Sequence, residues 1–242
     1  MPERKLDYAY WQRRFRAAND KEFQEINREF FKELGYSINP LKVWNEAAGK
    51  PIIPKLNHNK DEFVKKLILD KKWGESILII GFFNTQFAFN MGFERGFKVD
   101  GIDIKEDSVV AAIQSVKTLP SELASKFNFY CMFAENLAGL PKYDFTMSFC
   151  LEHVRDPKHV IAENLRHLNE GGYAYFTPPL KHGTNSPSHL HYFFEESDLM
   201  KLLPEGYTAN IYRVKFNFTS PRDNCFVMEV FKEDCKNEKS PV

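Results

Sequence analysis

The sequence lacks any long hydrophobic run and any excess of one charge. None of its apolar stretches approaches the roughly 20 residues that a helix needs to cross a bilayer, and the N-terminal MPERKLDYAYWQRRF has no apolar core of a signal peptide. Lys+Arg and Asp+Glu both number 33, so the formal net charge is zero. This balance argues against a nucleic acid or an anionic membrane as the main partner. We therefore expect a soluble globular protein without a membrane-spanning segment.

Cysteine is also scarce, and its positions exclude the common cysteine-based sites. Cys131, Cys150, Cys225 and Cys235 form no Cys-x-x-Cys pair, which predicts reduced thiols in a cytoplasmic protein. The histidines form no His-x-x-x-His pair, so the spacing predicts no metal site. The abundant residue is phenylalanine, with 23 copies in 242 residues. This number favours an aromatic-rich core or an aromatic pocket.

One stretch has the pattern of a nucleotide-binding βαβ unit. Ile77–Ile80 is a short apolar run that ends at Gly81, as in a strand buried on both faces. The spacing then predicts a helix over Thr85–Arg95 and a second strand over Phe97–Ile104. The second strand carries an acidic residue, Asp103, near its end. Strand, tight turn, helix and acid-terminated strand predict a ligand site above Gly81.

The rest of the chain continues the alternation of helices and strands. Helices are predicted over Glu106–Thr118 and Pro157–Leu168, and Gly171-Gly172 are expected to end the second of these. Further strands are predicted over Phe127–Met132, Tyr143–Phe149, Tyr173–Thr177, Thr208–Phe218 and Asn224–Phe231. A short helix is predicted over Glu195–Leu203, before the last two strands. The order predicts an α/β fold with a doubly wound, mostly parallel sheet and a C-terminal antiparallel hairpin.

The N-terminal third has a different pattern. Helical spacing of apolar residues over 6–34 is followed by a proline-containing connection over 36–59 and an amphipathic helix over 61–72. The apolar residues of the connection are expected to be buried: Leu41, Val43, Trp44, Ile52 and Ile53. We therefore divide the chain into a helical cap and connection (1–72), an α/β core (73–234) and a frayed tail (235–242). The cap is either a packing appendage or a substrate lid.

Two longer segments carry a family resemblance. YDFTMSFCLEHVRDPKHVIAENLRHLNEGGYAYFTPP and HLHYFFEESDLMKLL are similar to class I S-adenosylmethionine-dependent methyltransferases of the small-molecule type, found in quinone and sugar biosynthesis. The resemblance extends from about Ile77 to Phe231. It implies a Rossmann-like fold, S-adenosylmethionine as cofactor, and a small-molecule acceptor such as a sugar or a biosynthetic intermediate. It leaves the oligomeric state undetermined.

The resemblance is weakest at the glycine-rich first motif. Gly81 matches the family's first glycine, but Phe83 and Thr85 stand at the second and third glycine positions, and Ile79 stands at the preceding acid. The acid expected at the adenine side is replaced by Phe133. These departures favour an alternative: a methyltransferase-like protein that has lost the cofactor and serves as a binding or scaffold subunit, or that uses the cleft for another ligand. The Phe83 ring either turns away from the cleft or projects into it.

The resemblance also implies which residues form the site. Asp103 would accept hydrogen bonds from the ribose hydroxyls, and Ala134 and Glu135 would line the adenine end. The full set of expected cofactor-binding residues is Gly81, Phe83, Asp103, Ile104, Ala134, Glu135 and Phe149. Glu152, His153 and His191 are the candidate catalytic residues, since a histidine there could take a proton from the acceptor. The alternative is that these histidines are structural or lie on the surface.

Overall fold

The structure is a computed structural model of the chain, and it describes Glu22, Glu25–Ile26 and residues 40–82, 85–180, 189–216 and 224–233. The helix expected over 6–34 therefore lies outside the described residues, except at Glu22, Glu25 and Ile26, which are helical. The hairpin turn and the tail from 235 onward also lie outside them. No helix within the described ranges has the length and apolar character needed to cross a membrane.

A seven-stranded sheet forms the centre of the fold. Two short strands, β1 (Trp44–Asn45) and β2 (Lys50–Pro51), pair separately as a small antiparallel hairpin. The strands of the large sheet are β3 (Ser76–Ile80), β4 (Lys98–Asp103), β5 (Phe127–Cys131), β6 (Tyr143–Ser148), β7 (Leu168–Phe176), β8 (Tyr207–Val214) and β9 (Cys225–Lys232). Their order is β5-β4-β3-β6-β7-β9-β8. Strands β3 to β7 are parallel, and β9 runs antiparallel to both β7 and β8. The predicted parallel sheet with a C-terminal antiparallel hairpin is confirmed.

Helices cover both faces of this sheet. They are α1 (Asn59–Asp70), α2 (Gln86–Arg95), α3 (Glu106–Val116), α4 (Ser121–Ala124), α5 (Pro157–Arg166) and α6 (Glu196–Met200). Ile77 and Ile79 of β3 pack in one hydrophobic cluster with residues of α1, α2 and α3. Leu78 and Ile80 point to the opposite face and pack in a second cluster with residues of α5. Alternate residues of one strand thus supply two cores, as expected for a doubly wound sheet.

The helix ends follow the residues that predicted them. Gly96 takes the left-handed conformation (φ 75°) at the end of α2. At the start of α5, Pro157 occupies the first turn, and the side chain of Asp156 accepts a hydrogen bond from the backbone N–H of His159 (3.1 Å). These caps determine where the chain leaves each helix and enters the sheet.

The phenylalanines form an aromatic layer between α2 and the sheet. Phe89 packs against Phe127 with ring centroids 4.9 Å apart, and Phe82 meets Phe129 edge-on at 5.1 Å. Phe93 closes the layer against Phe127 at 5.4 Å. Edge-to-face pairs of this kind stabilise a core beyond the burial of their area. The expected aromatic-rich core is therefore present.

Two expectations about local structure are wrong. Helix α5 ends at Arg166, and Leu168 already pairs with Tyr143, so Gly171-Gly172 lie inside β7, where the register shifts. Gly171 adopts φ 75° in this irregular stretch. The same left-handed conformation that often ends helices here accommodates an irregularity in a strand. In the connection, Val43 is fully buried, but Ile52 and Ile53 are exposed. The tight hairpin of β1 and β2 leaves these two side chains outside the core.

Asp144 joins three strands at the amino-terminal edge of the sheet. Its Oδ2 accepts hydrogen bonds from the backbone N–H groups of Glu75 (2.7 Å) and Ser76 (3.1 Å), and its Oδ1 accepts one from the Asn169 side chain (2.8 Å). Burial pushes the pKa of Asp144 upward, but these hydrogen bonds outweigh it and hold the pKa below its ordinary value.

We expect this carboxylate to stabilise the protein in a pH-dependent way. A group whose pKa is lower in the folded state contributes stability above its unfolded pKa, and this contribution is lost as pH falls through the folded pKa. The Asp144→Asn variant should therefore be less stable than the parent near pH 7, and the difference should shrink below about pH 4. Urea unfolding of both proteins between pH 3 and 7 measures it. A constant difference across this range would contradict the role of the Asp144 charge.

Candidate functional site

The turn after β3 is built around Gly81. Its backbone has φ 69°, and a Cβ at this position would lie 2.8 Å from the Cβ of Cys150. The Gly81 N–H donates to the carbonyl oxygen of Ile102 (2.8 Å), which ties the turn to β4. The conformation and the close approach of the segment after β6 both require glycine. Phe83 lies outside the described residues, so the direction of its ring stays a sequence-based alternative.

Asp103 is the last residue of β4 and is buried at the carboxyl edge of the sheet. Its Oδ1 accepts a hydrogen bond from the backbone N–H of Lys105 (2.9 Å), which fixes the carboxylate against the start of α3. Lys105 is itself buried. Burial lowers the pKa of its ammonium group, and Asp103 and Asp107 oppose that shift. Ile104, between them, is half-buried. The predicted strand-end acid is thus held in a defined orientation beside a buried lysine.

The loop after β5 carries the residues expected at the adenine end. Phe133 and Ala134 are buried, and Glu135 is half-buried. Glu135 Oε1 accepts a hydrogen bond from the backbone N–H of Arg155 (3.3 Å), and its carbonyl oxygen lies 2.8 Å from Nε2 of His159. The loop after β5 is therefore joined to the segment after β6. Phe133, at the position of the family's acid, contributes apolar surface here.

Phe149 follows β6 and lies beside Gly81. Its backbone N–H donates to the carbonyl oxygen of Ile80 (2.9 Å), and its half-buried ring meets Phe87 edge-on with centroids 5.3 Å apart. Lys60 Nζ is 4.4 Å from the centre of the Phe149 ring. The aromatic ring is therefore placed between the turn after β3 and the first turn of α1.

Lys60 is a residue that sequence reasoning missed. It is buried at the start of α1, where its Nζ pairs with Asp61 Oδ1 at 2.6 Å. Burial pushes the pKa of Asp61 upward, but Lys60 and His58 outweigh it, so the pKa is lowered and the carboxylate is charged. The sequence offered only a lysine on an amphipathic helix, and its burial depends on α1 packing against this edge of the sheet. Part of the expected cap therefore borders the site.

Glu152 is the most perturbed acid of the region. Its side chain is only 8% exposed, and Oε2 has no hydrogen-bond partner among the described residues. Burial raises the pKa of Glu152 to about 7, against the opposing effects of a backbone hydrogen bond, His189 and Lys60. Perturbed acids of this kind cluster at functional sites.

Two histidines stand next to Glu152. His153 Nε2 lies 3.6 Å from Glu152 Oε1, and the rings of His153 and His189 meet edge-on with centroids 5.0 Å apart. The Nδ1 atom of His189 is buried without a hydrogen-bond partner in the described part of the chain. Burial lowers the pKa of His189, and the Glu152 charge opposes that shift. The sequence gave no reason to place His189 beside Glu152.

His191 occupies a different position from His189. Its Nε2 lies 3.0 Å from the carbonyl oxygen of Val154 and 3.2 Å from that of Arg155, where an N–H can donate. The backbone N–H groups of Leu190 and His191 both donate to the carbonyl oxygen of Glu152 (2.8 and 3.2 Å). These bonds fasten the segment from 189 to 191 onto the segment after β6. His191 therefore contacts the backbone of the segment after β6, whereas His189 lies beside Glu152 of that segment.

The core of the chain matches known proteins at the level of sequence and fold. Residues 79–176 match the model of a family described as "Methyltransferase domain". A ubiquinone biosynthesis O-methyltransferase of Hydrogenovibrio crunogenus is 28% identical over 173 residues, which is 67% of this chain and 65% of that protein. One of Idiomarina loihiensis is 30% identical over 112 residues, 45% of this chain and 44% of that protein. The matched region thus spans less than two thirds of the length of these curated relatives.

Solved structures show the same fold at lower identity. The N-methyltransferase NodS from Bradyrhizobium japonicum WM9 superposes with a TM-score of 0.56 at 15% identity, covering 72% of this chain and 94% of that one. The plantazolicin methyltransferase BpumL, solved in complex with SAH, superposes with a TM-score of 0.54 at 18% identity, covering 71% and 81%. At these identities the likeness shows the fold.

Proposed function

We propose that this chain, whose core belongs to the class I S-adenosylmethionine-dependent methyltransferase family, transfers a methyl group to a small-molecule acceptor. The expected family and fold class are confirmed by the family match over 79–176 and by the shared fold. The observation that carries the function is the position of Asp103, a buried acid at the carboxyl end of β4, next to the turn at Gly81. In open α/β sheets, ligands bind outside the carboxyl ends of the strands, where the strand order reverses. Here the order reverses beside β3.

The residues along this edge fit the cofactor. We propose that Asp103 accepts hydrogen bonds from the ribose hydroxyls and that the tight turn at Gly81 borders the cofactor. We propose that Ile104, Ala134 and Glu135 line the nucleoside side of the cleft. Phe149 would border the reacting end, and the role of Phe83 stays a prediction from the sequence. When bound, S-adenosylmethionine would supply an electrophilic methyl group on a sulfonium sulfur.

The acceptor side is formed by Glu152 and the histidines. Methyl transfer needs an aligned nucleophile in a dry pocket and a group that accepts its proton. Glu152 Oε1 and His153 Nε2 lie 3.6 Å apart, within ion-pair distance but beyond a direct hydrogen bond. His191 has only Nδ1 left for such a role, because its Nε2 faces two carbonyl oxygens. We propose Glu152 and His153 as the groups that receive the proton and His191 as the residue that positions their segment.

The balanced charge and the cysteines support the expected setting. Equal numbers of acidic and basic residues favour a small-molecule acceptor over nucleic acid or a membrane surface. Cys150 and Cys225 carry thiols in the described part of the chain, and we propose a reducing compartment such as the cytoplasm.

A second candidate function is a methyltransferase fold that does not use the cofactor. Ile79 and Phe133 are fully or almost fully buried and apolar at positions where the family has acids. A cleft that lacks these two carboxylates offers fewer hydrogen bonds to the methionine and adenine ends. This is the observation that favours a binding or scaffold subunit.

Titration of the purified chain with S-adenosylmethionine, S-adenosylhomocysteine and adenosine decides between the two. We expect both full ligands to bind with dissociation constants of about 1 μM to 1 mM, in the usual range for enzyme ligands, and more tightly than adenosine alone. Calorimetry measures all three affinities. Binding of adenosine with no gain for the full ligands, or no binding at all, would support the second candidate and overturn the first.

A further inference from the structure

A cluster of three possible metal ligands lies on the acceptor side of the cleft. Glu152, His153 and His189 each offer one ligand atom, and these atoms all lie within 4.8 Å of one another. Tetrahedral coordination with bonds of about 2.0–2.2 Å puts ligand atoms roughly 3.3–3.5 Å apart. Small rotations of the side chains would therefore bring the three groups into a coordination shell. The sequence spacing predicted no metal site, because the third ligand comes from a distant segment.

The Glu152 side chain points to a ligand independently of this geometry. It is almost completely buried, and its Oε2 has no hydrogen-bond partner among the described residues. A buried carboxylate oxygen without a partner is costly, and such groups in native proteins are usually paired or bind an ion. His189 Nδ1 is likewise buried and has no hydrogen-bond partner within the described ranges. Glu152 and His189 thus each carry a buried atom without a hydrogen-bond partner among the described residues, and both residues belong to the cluster.

The backbone holds these two segments together. The N–H groups of Leu190 and His191 donate to the carbonyl oxygen of Glu152 at 2.8 and 3.2 Å, and His191 Nε2 lies against the carbonyl oxygens of Val154 and Arg155. His189 is therefore held close to Glu152 by bonds that do not involve the ligand atoms. Preorganised ligands of this kind raise metal affinity.

We infer that Glu152, His153 and His189 bind one divalent transition-metal cation of the Zn²⁺ or Co²⁺ type. Two imidazoles and one carboxylate suit these metals, whereas Mg²⁺ and Ca²⁺ prefer oxygen ligands. Three protein ligands leave a coordination position open for water or another small molecule. The site shares Glu152 and His153 with the proposed acceptor-binding region, so these two groups would receive the acceptor's proton only in the metal-free chain. Metal binding itself does not depend on methyl transfer.

Metal binding is measured on the full-length chain after removal of any affinity tag and of bound metal with a chelator. Equilibrium dialysis gives stoichiometry and affinity for Zn²⁺, Co²⁺ and Mg²⁺, and the visible absorption of bound Co²⁺ reports nitrogen and oxygen ligation. We expect one Zn²⁺ or Co²⁺ per chain, bound at least roughly tenfold more tightly than Mg²⁺. Because no S-adenosylmethionine is added, the result is independent of the proposed function.

Variants locate the cation. Glu152→Gln and His189→Gln should each weaken Zn²⁺ binding by roughly tenfold or more. His167→Gln, which changes a half-buried histidine just after α5, is the matched control and should bind as the parent does. Circular dichroism checks that each variant is folded, and His189→Gln carries the test if Glu152→Gln is not. Unchanged binding in both site variants, equal affinity for Mg²⁺, or less than one cation per chain would overturn the site.

Discussion

Replacing Glu229 by alanine should lower the free energy of unfolding by about 3–5 kcal/mol, as expected when one partner of a buried ion pair is removed. Glu229 lies on β9 with its side chain only 3% exposed, and Lys71 Nζ is 2.8 Å from its Oε1. The Tyr175 hydroxyl donates to Oε1 (3.1 Å), and the Asn210 side chain donates to Oε2 (2.9 Å). Alanine would leave these three groups without their acceptor inside the sheet–helix layer.

The network explains why the effect should be large. Tyr175 is fully buried, so its hydroxyl would find no water to replace the lost acceptor. Lys71 directly follows α1 and also lies over the ring of Tyr173, 3.8 Å from its centre. Glu229 therefore connects the end of α1 with β7 and β8 through a single carboxylate. Its loss would weaken the attachment of α1 to the sheet.

Urea unfolding followed by circular dichroism measures the change. Glu229→Gln should lose less, because the amide oxygen still accepts the Tyr175 hydrogen bond although the charge opposite Lys71 is gone. Glu233→Ala changes an exposed acid just beyond β9 and is the matched control, with an expected effect within about 0.5 kcal/mol. A loss below about 1 kcal/mol for Glu229→Ala would show that Lys71 and Tyr175 find other partners.

The sequence predicted the fold well because its local signals agree with one another. Ile77–Ile80 is apolar at every position, and the structure buries it on both faces between β4 and β6. Gly96 and Pro157 mark helix ends through backbone preferences that do not depend on distant contacts. The Gly171-Gly172 pair led to a wrong prediction, because its backbone preference is compatible with more than one structure. A glycine indicates a special backbone conformation, but the sequence does not say whether a helix end or a strand irregularity uses it.

Less of the candidate site than of the fold could be predicted from the sequence. Gly81 follows one predicted strand and Asp103 lies near the end of another, so their place at the carboxyl edge could be derived from strand order alone. His189 is 37 positions after Glu152, and the backbone bonds from Leu190 and His191 hold it beside that residue. Lys60 reaches the site through the packing of α1. Contacts of this kind depend on tertiary structure, and a single sequence does not record them.

Asp103→Asn should weaken ligand binding, because Asp103 lies at this carboxyl edge of the sheet. The variant should bind S-adenosylmethionine roughly ten- to hundredfold more weakly, since hydrogen bonds to a charged group are worth about 1.5–3 kcal/mol. Asparagine keeps the size of the side chain and an oxygen that can accept the N–H of Lys105, so the turn into α3 should persist. The loss would then come from the Asp103 charge that we propose faces the ribose.

Two comparisons make this result specific to Asp103. Asp107→Asn removes an equal charge from an exposed position in the first turn of α3 and should leave affinity nearly unchanged. Adenosine carries the same ribose hydroxyls as the full cofactor, so its affinity for Asp103→Asn should fall by the same factor. Calorimetry with both ligands on the three proteins measures these values. If S-adenosylmethionine binding weakened while adenosine binding did not, Asp103 would act on the methionine end of the cofactor, and the ribose contact would be wrong.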